Sequence, residues 1–324
     1  MAGSGGSGGR PPLWRRARRR AWWLAALLVA AVATRMPAGR GRAAGVAIAR
    51  MGLRLRGKER RLAQRNLALA FPERDAGERR RLLGEAAVAA GRNLYDALAA
   101  PRLLADPLFV RDEPGPDGRP LLAVVRDEVA AGRGLLVMSG HLGCWELFGA
   151  WLAGELAKAD LPRLHVATGV VRNPAVDGWL ARRRRASGLV PVPRTAGVGP
   201  LLRCLRGGGV VAALVDQNTD VDSRPVPFFG IPAPTPAGPA RLAVRLRTPV
   251  VVATIARRPD GGHVVTHGEV WRPRPDVPAE QQVDLCLMMA NARLEACVRR
   301  NPAEWVWYHR RWDSSPAPDG SGMR

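Results

Sequence analysis

Apolar residues recur every three or four positions from Ala43 to Ala70 and again from Ala76 to Ala100, which predicts two amphipathic helices parted by the turn Phe71-Pro72-Glu73. Pro101 and the stretch Asp112-Glu113-Pro114-Gly115-Pro116-Asp117-Gly118 break this pattern and read as a linker. Beyond it the period changes. Apolar runs at Leu135 to Met138, Leu164 to Ala167, Val210 to Val215 and Val250 to Ile255 have the length of buried strands, with helical patterns at Leu121 to Ala131, Cys144 to Lys158 and Gly238 to Arg247. A further helix opens at Asn173-Pro174, where Asn suits the N-cap and Pro the first helical position. Strands of continuous apolar character alternating with helices predict an α/β fold: a mostly parallel central sheet flanked by helices. The chain closes with a helix from Gln282 to Arg300 and the aromatic segment Trp305 to Trp312.

One apolar run stands outside this alternation. Ala21 to Ala33 follows Arg15-Arg16-Ala17-Arg18-Arg19-Arg20; as a helix it reaches about 20 Å, short of the roughly 30 Å hydrocarbon core of a bilayer. A basic start, a short apolar stretch and the small-residue end Ala31-Val32-Ala33 also fit a cleaved signal peptide. Arg35, Arg40 and Arg42 directly after the run resist export, so it reads as an uncleaved hydrophobic anchor helix, with Trp14, Trp22 and Trp23 at the interface and arginines on anionic headgroups. The layout is then a flexible basic leader over 1–20, a membrane anchor over 21–42, the α/β domain over 43–312 and a disordered tail over 313–324.

Composition sharpens this reading. The 324 residues carry a formal net charge of +22, of which +15 falls in residues 1–65, so the basicity belongs mainly to the N-terminus. Nucleic acid is the rival partner for such charge, but no recognition motif or aromatic-interleaved basic platform accompanies it. Lys58 and Lys158 are the only lysines, so arginine is a habit of this chain and a single arginine says little. Cys144, Cys204, Cys286 and Cys297 lack a C-x-x-C spacing, which points to reduced, buried thiols rather than zinc or a redox pair.

Familiar catalytic loops are missing: no G-x-S-x-G elbow, no Walker A loop, no strand-linked G-x-G-x-x-G. His263 and His267 share one face of a strand-like run, but a metal pair would need a third ligand, and none lies nearby in sequence. The segment Leu135 to Glu146 is different. Its apolar strand ends in Ser139-Gly140, which sets His141 just past the carboxyl end and Glu146 in the first turn of the next helix. There a carboxylate can accept the imidazole N–H and leave the other nitrogen facing the crevice in which open α/β sheets bind ligands. With no serine or cysteine placed as nucleophile, this suggests base-assisted attack by a substrate hydroxyl. An exposed histidine beside a helix-dipole glutamate is the plain alternative.

The segment resembles the H-x4-D/E motif of the late acyltransferases of lipid A biosynthesis, the lauroyl and myristoyl transferases. Four further stretches look like that family, in order: Arg65-Asn66-Leu67 with Phe71-Pro72-Glu73; Arg172-Asn173-Pro174; Asp216-Gln217-Asn218 with Val226-Pro227-Phe228-Phe229-Gly230 and Thr235-Pro236-Ala237-Gly238; and Trp305 to Trp312. The resemblance implies transfer of a fatty acyl group from a thioester, on acyl carrier protein or coenzyme A, to a hydroxyl of a lipid A precursor. His141 would be general base and Glu146 its partner. Arg172 would hold a phosphate or the thioester oxyanion, or simply start a helix. Asp216 and Gln217 would shape the site, unless they only form an Asx-turn. Thr235 reads as an N-cap, with Gly238 among the N–H groups that could cradle an anion. Arg182 to Arg185 reads as a solvated face available to an acidic carrier protein, and the C-terminal aromatic cluster as packing first and headgroup contact second. No cofactor or metal is expected, the thioester being a co-substrate; the implied place is the cytoplasmic face of the inner membrane. The alternatives are acylation of another glycolipid, such as a mannosylated phosphatidylinositol, and a non-catalytic basic membrane-binding protein.

Overall fold

The computed structural model describes residues 31–312 apart from 33, 170, 172 and 220. The leader, half of the anchor, Arg172 and the tail therefore lie outside the described residues. Among those described, no helix is long and apolar enough to cross a membrane.

The first periodic stretch forms two helices, not one: α1 (Ala38–Leu55) and α2 (Gly57–Ala70), broken at Arg56, which leaves helical backbone. The next, α3 (Ala76–Leu98), starts at a capping box in which Asp75 and Glu78 satisfy each other's backbone N–H groups. α1 crosses α3 on small residues. A β-carbon on Gly45 would stand 2.2 Å from the Gly91 carbonyl oxygen, so only glycine lets the two backbones approach this closely.

Beyond α3 the alternation appears as read, with added strands. The order is β1 (Val110–Asp112), α4 (Leu121–Ala130), β2 (Leu135–Ser139), α5 (Trp145–Lys158), β3 (His165–Thr168), α6 (Pro174–Ala186), β4 (Val190–Pro193), α7 (Gly199–Arg206) and β5 (Val210–Leu214). There follow β6 (Ser223–Phe228), β7 (Ile231–Pro236), α8 (Gly238–Leu246), β8 (Val250–Arg257), β9 (His263–His267) and α9 (Ala279–Arg300). The stretch read as a linker thus begins inside a strand: Asp112 ends β1 and accepts from the Leu121 and Leu122 N–H groups at the start of α4. α6 opens at Asn173 as the sequence predicts, with its side chain accepting from the Ala175 N–H.

Among the described residues, seven strands make one sheet in the order β1-β9-β8-β2-β5-β3-β4, parallel throughout except for β8 with β9. β6 and β7 form a separate antiparallel hairpin. Alternate residues of β2 feed two cores. Leu135 and Val137 pack with Leu147 and Leu152 of α5, while Leu136 and Met138 pack with Ala240 and Ala243 of α8 and Leu294 of α9. Chain leaving β2 therefore covers one face, chain leaving β5 covers the other, and a crevice opens between these neighbouring strands at their carboxyl ends.

Candidate active site

Ser139 is paired with Leu214 in the β2–β5 register, so the residues two beyond each, His141 and Asp216, meet over that crevice. The His141 backbone N–H donates to Asp216 Oδ2 at 2.7 Å, and the ring Nδ1, as an N–H, donates to Oδ1 at 2.7 Å. Trp305 Nε1–H gives Oδ2 a third donor at 2.8 Å. Gly140 is required between strand and histidine, because a β-carbon there would come within 2.9 Å of the Asp216 carboxylate. Burial by itself raises the Asp216 carboxyl; the charge and hydrogen bond of His141, with His309 and Trp305, more than reverse this and hold it well below the usual carboxylate range.

The expected bond between His141 and Glu146 is replaced by this one. Helix α5 turns Glu146 toward α6, where both Glu146 oxygens take N–H groups of Arg184, one of them at 3.1 Å. Arg183 donates to the Leu98 carbonyl at 2.6 Å, so the run Arg182 to Arg185 is not one solvated face: Arg182 and Arg185 are exposed, and the middle pair is tied inward.

A cavity of about 400 Å³ adjoins the dyad, walled mainly by apolar residues, among them Leu94, Leu98, Trp179 and Leu189. Trp145 connects the two, lining the cavity with its ring edge-on to His141 at 5.0 Å. Glu146 and Arg184 also lie on this wall. Cys144, between His141 and Glu146, is buried and its thiol is pushed far above the usual range by burial, which agrees with its exclusion as nucleophile. All four cysteines are free; Cys204 is only half-buried, against the expectation of four buried thiols.

The C-terminal segment closes the site. Val306 N–H donates to the His141 carbonyl at 3.1 Å and Gly143 N–H to that of Glu304 at 2.9 Å. Asn66 of the Arg-Asn-Leu motif donates to the carbonyls of Trp307 and His309, both at 2.9 Å. Trp305, Trp307, Trp312 and Arg311 are buried, which removes them from headgroup contact and makes them packing residues. Thr235 is not an N-cap: α8 starts after Ala237, and the buried Thr235 hydroxyl instead donates to Ala233 and accepts from Asn291 and Arg311. Gly238 stands exposed at the start of α8, and Gln217 is half-buried beside Asp216.

His309 is the residue that sequence reasoning passed over. Its ring lies 5.6 Å from that of His141, and burial, first among the causes, lowers its pKa to about 4. Its donor atom, with one each from His141 and Asp216, falls in a set within 4.8 Å of one another that could hold a metal ion. With three N–H donors already on Asp216, the arrangement suits a hydrogen-bonded dyad. His263 and His267 are engaged elsewhere, on Asp96 and on the Arg119 and Gly268 carbonyls.

A family model described as bacterial lipid A biosynthesis acyltransferase matches residues 12–314. The lipid A biosynthesis lauroyltransferase of Escherichia coli (strain K12) is 25% identical over 280 residues, which cover 84% of this chain and 85% of that protein.

Proposed function

This chain belongs to the bacterial lipid A biosynthesis acyltransferases, and from that premise we propose that it moves a fatty acyl group from acyl carrier protein to a hydroxyl of a lipid A precursor, with His141 as base. The observation that carries this reading is the 2.7 Å bond from His141 Nδ1 to the buried Asp216 carboxylate. An ionised carboxylate there keeps a proton on Nδ1 and leaves the Nε2 lone pair free for work. Nε2 takes the proton of the acceptor hydroxyl as its oxygen attacks the thioester carbonyl carbon. The C–O bond forms, the C–S bond breaks, and the leaving thiolate recovers the proton from the imidazolium. Asp216 stabilises that imidazolium by its charge. The reaction needs no acyl-enzyme and no cofactor beyond the thioester co-substrate.

The apolar cavity beside Trp145 suits the acyl chain, since its size falls at the lower end of the roughly 300–1,000 Å³ of ligand pockets. Glu146 and Arg184 would orient the thioester at its wall, while Arg172, Gln217 and Gly238 stay candidates for substrate binding on the family resemblance. Arg182 and Arg185 would meet the acidic carrier protein. The enzyme would work at the cytoplasmic face of the inner membrane, held by residues 21–42. In support, Ile48, Met51 and Leu55 stand exposed at spacings of three and four on α1, with Arg50 and Arg54 interleaved.

The test is to incubate the full chain with acyl carrier protein loaded with a fatty acyl group and with a lipid A precursor, and to weigh the glycolipid by mass spectrometry. A gain of one acyl group is expected. An unchanged precursor, with a mannosylated phosphatidylinositol acylated in a parallel incubation, would overturn the acceptor.

A further inference from the structure

On the other side of α3 from the acyl cavity lies a second one, of about 840 Å³, walled by α1, α3 and the turn between β8 and β9. Its wall carries five arginines: Arg42, Arg50, Arg92, Arg257 and Arg258. Three are spent within the protein. Arg42 and Arg257 each reach Asp96 at 2.8 Å, and Arg258 holds Asp260 at 2.5 Å. Arg50 and Arg92 are exposed; the charge of Arg92 is felt by the Glu304 carboxyl, and neither guanidinium forms a direct salt bridge with an acid among the described residues. Against five guanidinium groups stand Asp96, Asp260 and Glu304, so the cavity keeps an excess of positive charge even with every acid ionised. Arg257, with a side chain only 8% exposed, also keeps its Nε without a partner.

This cavity adjoins the reaction site. Glu304 lines both cavities, and its carbonyl accepts from the N–H of Gly143, two residues past His141. Along α3, Asn93 and Leu94 face the acyl cavity while Val88 and Arg92 face the arginine-walled one. Through that shared wall residue the arginine-walled cavity neighbours the reaction site. Guanidinium forks suit phosphate, which they bind through two parallel N–H···O bonds. We propose that this cavity binds a phosphate group of a lipid headgroup, that of the acceptor glycolipid, with Arg50 and Arg92, the two arginines not spent within the protein, gripping it. The assignment to the acceptor rests on the function proposed above; phosphate recognition by the cavity does not.

The experiment compares the full chain with Arg50→Gln/Arg92→Gln in neutral detergent micelles, using a phosphorylated lipid A precursor and the same precursor after phosphatase treatment. For the phosphorylated acceptor the double variant is expected to raise KM about tenfold with kcat preserved, since charge-assisted hydrogen bonds are lost. For the dephosphorylated acceptor, wild type and variant should coincide. Arg50→Lys/Arg92→Lys keeps charge without the fork and should fall between. Arg126→Gln/Arg206→Gln, an exposed pair elsewhere, controls for net charge. Co-sedimentation with phosphatidylglycerol vesicles separates the other source of phosphate: loss of vesicle binding in the Gln pair, with acceptor KM equal to the control, assigns the cavity to bilayer phospholipid and overturns the acceptor. Equality with the control pair in both KM and vesicle binding overturns the site altogether. Should the wild type acylate neither acceptor, the proposed function fails, while binding of the phosphorylated precursor and of vesicles still decides the cavity.

Discussion

Three N–H donors converge on the buried Asp216 carboxylate, so an asparagine of the same shape loses the charge and turns an NH2 donor toward an N–H where an oxygen had accepted. Asp216→Asn removes the group that holds the Nδ1 proton and supports the imidazolium, so kcat should fall by about 10²-fold or more while the donor KM changes little. Glu146→Gln breaks a pair with Arg184 at the cavity mouth and should mainly raise the donor KM, with kcat kept within a few-fold. Steady-state kinetics on both variants separates the roles: a kcat loss confined to Glu146→Gln would return the glutamate to the histidine's side. The two candidates were unequally legible. His141 and Glu146 lie in one local strand-to-helix segment, and its spacing alone suggests a pair. Asp216 is 75 positions from His141 and reaches it only because β2 and β5 are neighbours in register. Nothing local announces that adjacency: the residues offered Asp216 as a polar residue closing a strand, and the family resemblance as one that shapes the site, but neither as the partner of His141. His309 gave less signal still, set in an aromatic run that reads as packing.

Elements with one clear period were legible, and those built on proline were not. β6 and β7 carry five prolines, yet they pair as a hairpin with Pro225 opposite Pro234 and Pro227 opposite Pro232. Those pairs sit where no ladder N–H is needed, which sequence pattern alone cannot show. β4, with Pro191 and Pro193, survives as an edge strand for the same reason. The joint between the helical N-terminal part and the sheet is instead electrostatic: Asp96 of α3 binds Arg42 of α1, Arg257 of β8 and His263 of β9. Burial raises the Asp96 carboxyl, but His263, Arg42 and Arg257 overcome this and lower it from 3.8 to about 2. Because the folded value lies below the unfolded one, this stabilisation is fully present above pH 4 or so and is lost as pH falls toward 2. Asp96→Asn strands the buried Arg257 and should cost about 3–5 kcal/mol at pH 7. Urea denaturation should show that deficit shrinking between pH 4 and pH 2; a deficit independent of pH would contradict the charge-based joint.

At the scale of the whole molecule, the basic N-terminus and the exposed apolar positions of α1 carry the proposal that one end of the chain binds an anionic surface. Deleting residues 1–30 should move protein from the membrane to the soluble fraction by a salt-sensitive amount. The cut must stop before Met36, whose carbonyl accepts from the Tyr95 hydroxyl, and before Arg42, which holds Asp96. Undiminished sedimentation with membranes after the deletion would shift anchorage to α1. The overall architecture followed from the strand–helix alternation alone, whereas the cavity beside Trp145 did not, since it takes α3, α5, α6 and the C-terminal segment to enclose it. The central claim is that a His141–Asp216 dyad drives acyl transfer to a hydroxyl, and the kcat of purified His141→Ala against wild type tests it most directly, with folding checked by thermal melt. A loss of about 10²–10⁴-fold, scarcely deepened by adding Asp216→Asn, is the predicted result. Near-wild-type kcat in a folded His141→Ala protein would contradict it.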